Sequence, residues 1–432
     1  MPDDAPFNLA AHTGMVLDLL SDFGTIGVTE SGGISRLAAS PEDGLARDFL
    51  CDWLRRHDFE VLVDEIGNIF GVLDLARGDQ AQHFFCGSHL DSQPDGGKFD
   101  GVLGVVCACV CGLVIRDAVA KGRVDPTYRF YVVACWTGEE GARFQPSLIG
   151  SSVFVGSIPR EDALARQDQN GVSLRRALSE IGYLGNARVP APGHYLEIHI
   201  EQGAKLQNTN KPIGIVSSCW GAKKMLIEVS GRPDHTGPTP MEDRRDALLA
   251  ASHLVVQANE LSRQSSSTLY SSVGRMDVSP NSPNTIADKV QLWVEFRSND
   301  GAALLEAEQK FRLSFAGIED LTGCEVRELS VEDRAVIEFD KQGIATVEDA
   351  LSTSNIPYLH MSTIAGHDAI RLQSVCPSTL LFVPSENGIS HSPEEFTSDE
   401  DICAGFGAML HAVSSLISTP VDHQSISSVT KN

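Results

Sequence analysis

Short polar patches adjoin strand-like runs at four widely separated places in this chain of 432 residues. The patches are GSHLDSQPDGGKFDG, WTGEEGARF, LEIHIEQG and NGISHSPEEFT, and they contain His89, Asp100, Glu140, His199 and His391. Imidazoles and carboxylates that arrive from separate strand ends suit divalent metals such as Zn²⁺ or Mn²⁺. The fold must therefore bring distant strand ends together, and the pattern predicts a two-metal hydrolase.

Strand-like and helix-like segments alternate in the first half of the chain. Helical spacing over residues 8–23 and 40–57 precedes the β-rich runs EVLVDEIGNIFGVLDL, HFFCGSHL, TYRFYVVACW and HYLEIHI. Residues 101–120 are apolar and long enough for a helix that packs on a sheet. This alternation predicts an α/β fold, with a mixed sheet between helical layers in an αβα catalytic domain.

A different order of segments begins near Gly214. Two strands in PIGIVSSCWGAKKMLIEVSGRP precede a long amphipathic helix, two more strands, a helix over residues 301–316 and the strand CEVRELS. From the second of these strands onward, the β-α-β-β-α-β order matches the ferredoxin-like pattern. We therefore expect an inserted α+β domain over residues 214–330. It would divide a discontinuous catalytic domain into residues 1–213 and 331–432, because His391 lies beyond the insertion.

Composition restricts the partners and the location of the protein. The formal net charge is −24 and the pI is about 4.8, which disfavours nucleic acids and anionic membranes as partners. The N-terminal segment MPDDAPFNLAAHTG has no basic region followed by an apolar one, and we expect no apolar run to approach the roughly 20 residues of a membrane span. Most of the ten cysteines lie in apolar runs, as buried thiols do. These features predict a cytoplasmic protein.

The patch around His89 has the chemistry of a metal site. His89 follows an apolar run and should end a strand, where open α/β sheets bind ligands. We expect the Asp91 side chain, two residues further on, to accept the proton of the second ring nitrogen. Asp100 opens a helix-like segment, and its two oxygens suit a bridge between two cations. Glycines at 96 and 97 allow the backbone to approach closely.

The patch WTGEEGARF contains adjacent carboxylates at Glu139 and Glu140. Neighbouring residues in a loop point in different directions, so one can bind a metal while the other handles water. Hydrolysis needs such a carboxylate beside the metal to take a proton from water and return it to the leaving nitrogen. The pair therefore predicts one ligand and one general base.

These blocks resemble the M20 metallopeptidase-like amidases, in particular the branch of N-carbamoyl-L-amino-acid hydrolases, β-ureidopropionases and allantoate amidohydrolases. The similar blocks are HLDSQPDGGKFDGVLGV, EEGARF, HIEQG, GRPDHTGPTPM, SPNSPNTI and GISHSPEE, within residues 20–415. The resemblance implies two divalent cations (Zn, Mn, Co or Ni) with the ligands His89, Asp100, Glu140, His199 and His391. It implies that Asp100 bridges the two, that His89 and His199 hold different cations, and that Glu139 is the general base.

The resemblance also implies that the inserted domain is a lid and forms a homodimer. His235 would stabilise the oxyanion, in some relatives at the partner's active site. Asn284 and Arg297 would grip a substrate carboxylate, which a planar guanidinium can bind through two hydrogen bonds. Gln202 would contact the polar ureido end of the substrate. His367, in the block AGHDA, receives no role.

The predicted reaction is hydrolysis of a non-peptide, linear amide C–N bond in an N-carbamoyl-L-amino acid, which yields the amino acid, carbon dioxide and ammonia. Allantoate, ureidoglycolate and 3-ureidopropionate stay open as substrates, because each has an acid and a ureido group. An M20-type dipeptidase or aminoacylase, and a non-catalytic binding protein, are further alternatives. GGKFDGVLG has neither G-x-G-x-x-G nor GK[ST], so nucleotide binding has little support.

Overall fold

The computed structural model describes residues 7, 9–77 and 80–419. The missing positions include residues 1–6 and 8, on which the expectation about a leader segment partly rests. The described helices are α1 (Leu9–Phe23), α2 (Pro41–Arg56), α3 (Val102–Ala120), α4 (Ile149–Phe154), α5 (Arg160–Leu164), α6 (Leu174–Glu180), α7 (Lys205–Thr209), α8 (Ala247–Gln264), α9 (Gly301–Thr322), α10 (Lys341–Thr353), α11 (Asp368–Leu372) and α12 (Asp399–Ile417). The strands are β1 (Glu60–Val63), β2 (Ile69–Asp74), β3 (Gln80–His89), β4 (Tyr128–Trp136), β5 (His194–Ile200), β6 (Ile213–Cys219), β7 (Gly221–Ser230), β8 (Leu269–Ser279), β9 (Lys289–Ser298), β10 (Glu325–Arg334), β11 (Ile337–Glu338), β12 (Tyr358–Thr363) and β13 (Ser378–Val383).

The chain divides into two compact units. The first unit contains the described residues up to Ser217, Phe339–Met361 and those from Ala365 onward, and the second contains Ser218–Glu338 with Ser362–Ile364. The sequence places the insertion at residues 214–330. The chain stays in the first unit beyond Gly214 because Ile215 and Val216 of β6 pair with β13.

The local sequence explains where α2 begins and ends. The Ser40 side chain accepts a hydrogen bond from the Asp43 backbone N–H, and Pro41 occupies the first helical position. Acidic residues lie in the first turn and Arg55 and Arg56 in the last, where they complement the helix dipole. The helix start expected at Ser40 is confirmed.

A mixed sheet forms the centre of the first unit. Its strands follow the order β1-β2-β4-β3-β5-β13-β6, and β12 also pairs with β6. The two-residue strand β11, which pairs with Ser218 and Cys219 at the end of β6, belongs to the second unit. The neighbours β4, β3, β5 and β13 are parallel, whereas β1–β2, β2–β4 and β13–β6 are antiparallel. The predicted mixed sheet is confirmed. Four parallel strands in succession place four carboxyl ends along one edge of the sheet.

Helix α3 forms much of the core of the first unit. It is the only helix in the described part of the chain that is long and apolar enough to cross a membrane, so the expectation that no apolar run approaches that length is wrong. The structure nevertheless buries 89% of its most apolar window, and α3 packs against β3, β4, β5, α1 and α12. Its three cysteines are among the nine of ten that are buried. The cytoplasmic location and the exclusion of membrane and nucleic-acid partners stay predictions.

The second unit is a four-stranded antiparallel sheet with two helices. Its strands follow the order β10-β7-β9-β8, and α8 and α9 pack on this sheet and on each other. The predicted ferredoxin-like order is confirmed. Helix α9 continues beyond residue 316 to Thr322, because Ile318 still packs in the core and Gly323 provides the left-handed C-cap. Strand β10 extends past CEVRELS to Arg334.

Candidate metal centre and active site

The predicted metal ligands of the first unit lie at the edge formed by the carboxyl ends of its parallel strands. His89 is the last residue of β3 and lies opposite Trp136, the last residue of β4. His199 lies near the end of β5, opposite Phe382 of β13. The loops that follow these strands carry the remaining candidates. The arrangement is therefore a consequence of parallel pairing, which aligns strand ends that are distant in sequence.

Asp100 lies at the centre of this site. Its Oδ1 atom is 3.4 Å from His89 Nε2 and 3.0 Å from His199 Nε2. Its Oδ2 atom is 3.4 Å from His391 Nε2, which is also 3.3 Å from Glu140 Oε2. Asp100 therefore presents one oxygen to each of two sets of side chains.

The five predicted ligands form two groups that share Asp100. In each group the possible ligand atoms lie within 4.8 Å of one another. We name them the inner group (His89, Asp100 and His199) and the outer group (Asp100, Glu140 and His391). The inner group is wholly buried, whereas the His391 side chain is 45% exposed. This geometry suits two divalent cations bridged by one carboxylate.

The hydrogen bonds of the inner histidines leave one ring nitrogen of each directed at Asp100. Nδ1 of His89 is 2.9 Å from the Asp91 backbone oxygen, and Nδ1 of His199 is 2.9 Å from the Ile200 backbone oxygen. Because these nitrogens donate their protons, each Nε2 carries a lone pair. The His199 Nε2 accepts a hydrogen bond from the Gly101 backbone N–H at 3.2 Å. His89 Nε2 is buried and has no hydrogen-bond partner. A buried lone pair facing a carboxylate oxygen fits a cation between the two.

The electrostatics of the site favour positive charge. Burial alone would raise the pKa of Asp100, but His199, His391 and His89 outweigh it and hold that pKa well below the usual range. The hydrogen bond to Asp100 raises the pKa of His391 to about 9, in spite of partial burial. The field that retains a proton on His391 also attracts a metal cation.

Asp91 organises the loop that carries the two adjacent glutamates. Its Oδ1 accepts a hydrogen bond from the Glu139 backbone N–H at 3.2 Å, and its Oδ2 accepts one from the Glu140 N–H at 3.3 Å. The sequence predicted that the Asp91 side chain accepts the proton of His89 Nδ1. The Asp91 carboxylate lies 3.8 Å from Nδ1, whereas the Asp91 backbone oxygen lies 2.9 Å from it and is the acceptor. Asp91 thus orients His89 through its main chain and the glutamates through its side chain.

Glu139 lies beside the inner group but belongs to neither ligand group. Its Oε2 atom is 3.7 Å from His89 Nε2, and its side chain is 10% exposed. Burial raises the pKa of Glu139 well above the ordinary value for glutamate, although His89 opposes this shift. A carboxylate of raised basicity next to a metal site is suited to accept a proton from water.

Gln202 lies next to the outer group. Its Nε2 atom donates to Asp100 Oδ2 at 2.7 Å and is 3.4 Å from His391 Nε2. Its backbone N–H donates to Ser385 Oγ at 3.1 Å, and its φ of 56° lies in the left-handed region. The predicted substrate residue Gln202 is therefore held at the metal ligands, with an amide available to a polar group.

Sequence reasoning missed two buried glutamates that support the ligands. Glu395 Oε1 accepts hydrogen bonds from the backbone N–H groups of Phe99 and Asp100 at 2.9 and 3.1 Å. Glu197 accepts from Ser88 Oγ at 2.7 Å and from the Ala369 N–H at 2.9 Å. The acidic pair in HSPEEF and the acid two residues before His199 were the available signals. Neither pattern identifies its backbone partners.

His367, to which the sequence assigned no role, lies against the inner group. Its ring centroid is 4.6 Å from that of His199, and the residue is 1% exposed. Neither ring nitrogen has a hydrogen-bond partner. Burial lowers the pKa of His367 well below the usual range, which leaves a neutral imidazole. Two unpaired buried nitrogens are costly, so a bound molecule is a natural partner for them.

The remaining predicted residues lie in the second unit. His235 and Asn284 are exposed. They occupy neighbouring loops, because His235 forms a β-bridge with Thr285 and the Thr236 N–H donates to the Asn284 backbone oxygen at 3.3 Å. Arg297 lies on β9, where its Nε donates to Glu295 Oε1 at 2.9 Å and its side chain is 33% exposed.

Asn284 and Arg297 lie at opposite ends of the sheet in the second unit. Asn284 belongs to the loop before Lys289, the first residue of β9, whereas Arg297 is near the last residue of that strand. At about 3.3 Å per residue the strand separates them by roughly 26 Å. The second unit of a single chain therefore does not bring these two side chains together around one small carboxylate.

Comparison with known proteins identifies the family. A sequence profile described as Peptidase family M20/M25/M40 matches residues 85–415, which is most of the chain. The chain belongs to this family. Members of the M20 family are metal-dependent hydrolases, so the prediction of a metal-dependent hydrolase is confirmed.

Individual relatives show which members of the family the chain resembles. An N-carbamoyl-L-amino-acid amidohydrolase from Rhizobium meliloti is 34% identical over 414 residues, which cover 94% of this chain and 97% of that protein. An allantoate amidohydrolase from Escherichia coli (strain K12) is 28% identical over 398 residues, which cover 90% and 93%. The crystal structure of an amidase of the hydantoinase/carbamoylase family from Burkholderia multivorans matches with a TM-score of 0.83 and 35% identity, covering 95% and 98%. The expected resemblance to the amidases of the M20 family is confirmed.

Gly101 provides a test of the inner group. Its φ is +68°, and a Cβ there would overlap the His89 imidazole. We predict that Gly101→Ala loses bound metal, measured by elemental analysis after dialysis against Mn²⁺ or Zn²⁺. Gly122 is the matched control, since its φ is also +68° but nothing lies within 4 Å of its Cβ position. A positive φ should cost each variant about 1–2 kcal/mol of unfolding free energy, and Gly101→Ala should lose more because of the overlap with His89. Equal metal contents in the two would contradict the prediction.

Proposed function

We propose that this protein hydrolyses the carbamoyl C–N bond of N-carbamoyl-L-amino acids and releases the amino acid, carbon dioxide and ammonia. One observation carries the proposal: the two oxygens of Asp100 face separate ligand groups, and Glu139 lies beside them without belonging to either. The extensive similarity to the Rhizobium meliloti N-carbamoyl-L-amino-acid amidohydrolase supports this substrate class.

The residues of the inner and outer groups would hold two divalent cations, chosen from Zn, Mn, Co and Ni. Such cations make water acidic enough to react near neutral pH and polarise a carbonyl group. The donor set supports this assignment, because three imidazoles and two carboxylates suit first-row metals. His89 Nε2, buried and without a partner, supports it further.

Glu139 is the proton carrier of the proposed reaction. Its carboxylate accepts a proton from the attacking water as the water oxygen bonds to the carbamoyl carbon. It then returns the proton to the terminal nitrogen, the C–N bond breaks and ammonia leaves. The remaining N-carboxylate of the amino acid loses carbon dioxide. The position of Glu139, buried beside His89 with a raised pKa, supports this role.

The substrate is oriented by polar groups at both ends. Gln202 and His367 offer hydrogen bonds to the ureido group. The Gln202 side-chain amide lies beside Asp100, and both ring nitrogens of His367 lack a hydrogen-bond partner. Arg297 and Asn284 bind the carboxylate, and His235 stabilises the oxyanion. We place these three residues in a lid formed by the second unit, which closes on the bound substrate.

The proposed lid also forms a homodimer. Because Asn284 and Arg297 lie roughly 26 Å apart along β9, one carboxylate can meet both only if two chains contribute. His235 lies at the Asn284 end of the sheet, so His235 and Asn284 of the partner subunit would join Arg297 of the first chain. Strand β8 is an edge of the sheet, and its free backbone groups could pair with a second copy.

The role of Glu139 is tested by substitution. We predict that Glu139→Gln retains its bound metal and loses kcat by about 10²–10⁴-fold, the usual contribution of a general base. Glu140→Gln is the contrasting variant and should lose metal from the outer group. Metal content and steady-state ammonia release distinguish them. Full turnover of a metal-loaded Glu139→Gln protein would remove the proposed base.

The substrate class is tested by a panel. After metal reconstitution, N-carbamoyl-L-amino acids should release ammonia with a higher kcat/KM than 3-ureidopropionate, allantoate or ureidoglycolate. Preference for allantoate would favour the main alternative, which similarity to the Escherichia coli allantoate amidohydrolase supports. Peptide cleavage without ammonia release would instead indicate an M20-type dipeptidase or aminoacylase.

Shared active sites are tested by mixing two inactive variants. In a mixed dimer of Glu139→Gln and His235→Ala, one active site combines an intact Glu139 with the intact His235 of the partner subunit. Co-refolded or co-expressed variants should therefore recover about a quarter of the wild-type activity, because random pairing makes half of the dimers mixed. No recovery in dimers shown to be mixed would place His235 at the active site of its own chain.

A further inference from the structure

We infer that Gln93 is a positioning residue that holds the Glu140 carboxylate in the orientation required by the outer cation. This inference rests on the proposed function and extends it to a residue outside the ligand groups. Gln93 lies between Asp91 and the glycines of the His89 patch, and its side chain carries no charge. Its contacts with Glu140 define its role.

Gln93 supplies a hydrogen bond to each oxygen of the Glu140 carboxylate. Its backbone N–H donates to Oε1 at 3.1 Å, and its Nε2 donates to Oε2 at 2.9 Å. The same amide also lies 3.3 Å from the Glu140 backbone oxygen. These contacts restrict rotation of the carboxylate and fix its plane relative to the main chain.

The hydrogen bonds from Gln93 determine which lone pairs of the Glu140 carboxylate remain free. A carboxylate oxygen can accept about two hydrogen bonds or ligand contacts. Oε2 of Glu140 accepts the Gln93 amide on one side and lies 3.3 Å from His391 Nε2 on the other. The lone pair that Gln93 leaves free is therefore available to a cation shared with His391 and Asp100.

The segment that carries Gln93 is itself rigid. Arg36 is 1% exposed, and its Nε donates to the Leu90 backbone oxygen at 2.7 Å. Arg36 and Ser92 also exchange two hydrogen bonds at 2.9 Å, one through the Arg36 N–H and one through the Ser92 N–H. The donors of Gln93 are thus placed before a metal binds, as an orienting group requires.

The outer group has more need of such an orienting residue than the inner group. Both inner histidines are buried and are oriented by backbone oxygens. In the outer group the His391 side chain is 45% exposed. The buried side chains that would fix the position of an outer cation are therefore Glu140 and the shared Asp100. Loss of the Gln93 amide should therefore weaken the outer cation and leave the inner one unchanged.

The test is a Co²⁺ titration of the metal-free, full-length Gln93→Met protein. Methionine keeps the length of the side chain but removes its donors. The visible absorption of bound Co²⁺ depends on its ligands, so each equivalent has its own spectroscopic signature. We expect the first equivalent to bind as in the wild type and the second to bind about 10–100-fold more weakly. Normal binding of the first equivalent also shows that the variant is folded.

Gln145→Met is the matched control. Gln145 lies in the same loop as Glu140, and its Nε2 donates to the Gly141 backbone oxygen at 2.6 Å, not to a ligand. This variant should bind both equivalents as the wild type does. Equal weakening in Gln145→Met and Gln93→Met would show that general loosening of the loop is responsible, and it would overturn the role of Gln93.

Two further outcomes separate this inference from the proposed function. If the wild type binds two equivalents and Gln93→Met does so with unchanged affinities and spectra, the inference fails while the proposed function stands. If the wild type binds a single equivalent and releases no ammonia from any carbamoyl substrate, the proposed function fails and the inference fails with it.

Discussion

The buried carboxylate of Asp100 is the constraint on which the rest of the first unit depends. A carboxylate that is only 4% exposed is costly unless opposite charge or hydrogen-bond donors compensate for lost water. Three histidines from three different segments surround it, and Glu395 holds its backbone through the Phe99 and Asp100 N–H groups. The hydrogen bonds and charge of these imidazoles stabilise the Asp100 carboxylate, so the residues that would hold cations also belong to the core of the first unit.

The sheet topology explains how residues about three hundred positions apart can meet. Parallel strands require long crossover connections. His89 at the end of β3, His199 near the end of β5 and His391 in the segment after β13 therefore reach one edge of the sheet from distant parts of the chain. The second unit lies within the connection between the parallel strands β5 and β13, and it leaves the order of the central strands intact. An insertion at the end of a strand can therefore add a domain without moving the ligands.

The sequence predicted the mixed sheet and the meeting of the five candidate ligands, because both depend on local patterns: polar residues directly after apolar strands, and apolar runs of strand or helix length. It could not predict contacts that depend on how loops cross. Glu395 and Gln93 act on Asp100 and Glu140 through hydrogen bonds between separate loops, and no spacing in the sequence encodes those partners. The acceptor for His89 was assigned to the wrong atom of Asp91, because the turn geometry decides whether the side chain or the backbone oxygen faces the ring. The separation of Asn284 and Arg297 likewise follows only from the strand register.

The adjacent glutamates share one loop but differ in the contacts of their side chains. The Asp91 carboxylate accepts the backbone N–H groups of both residues, so the two side chains start from a common, fixed backbone. Gln93 then restrains the Glu140 carboxylate through a hydrogen bond to each oxygen. The structure shows no comparable donor to the Glu139 carboxylate among its described residues, and His89 Nε2 lies 3.7 Å from Glu139 Oε2. Burial raises the pKa of both glutamates, so the two differ in their hydrogen bonds: the Glu140 carboxylate is held by Gln93, which leaves the Glu139 carboxylate better suited to exchange a proton.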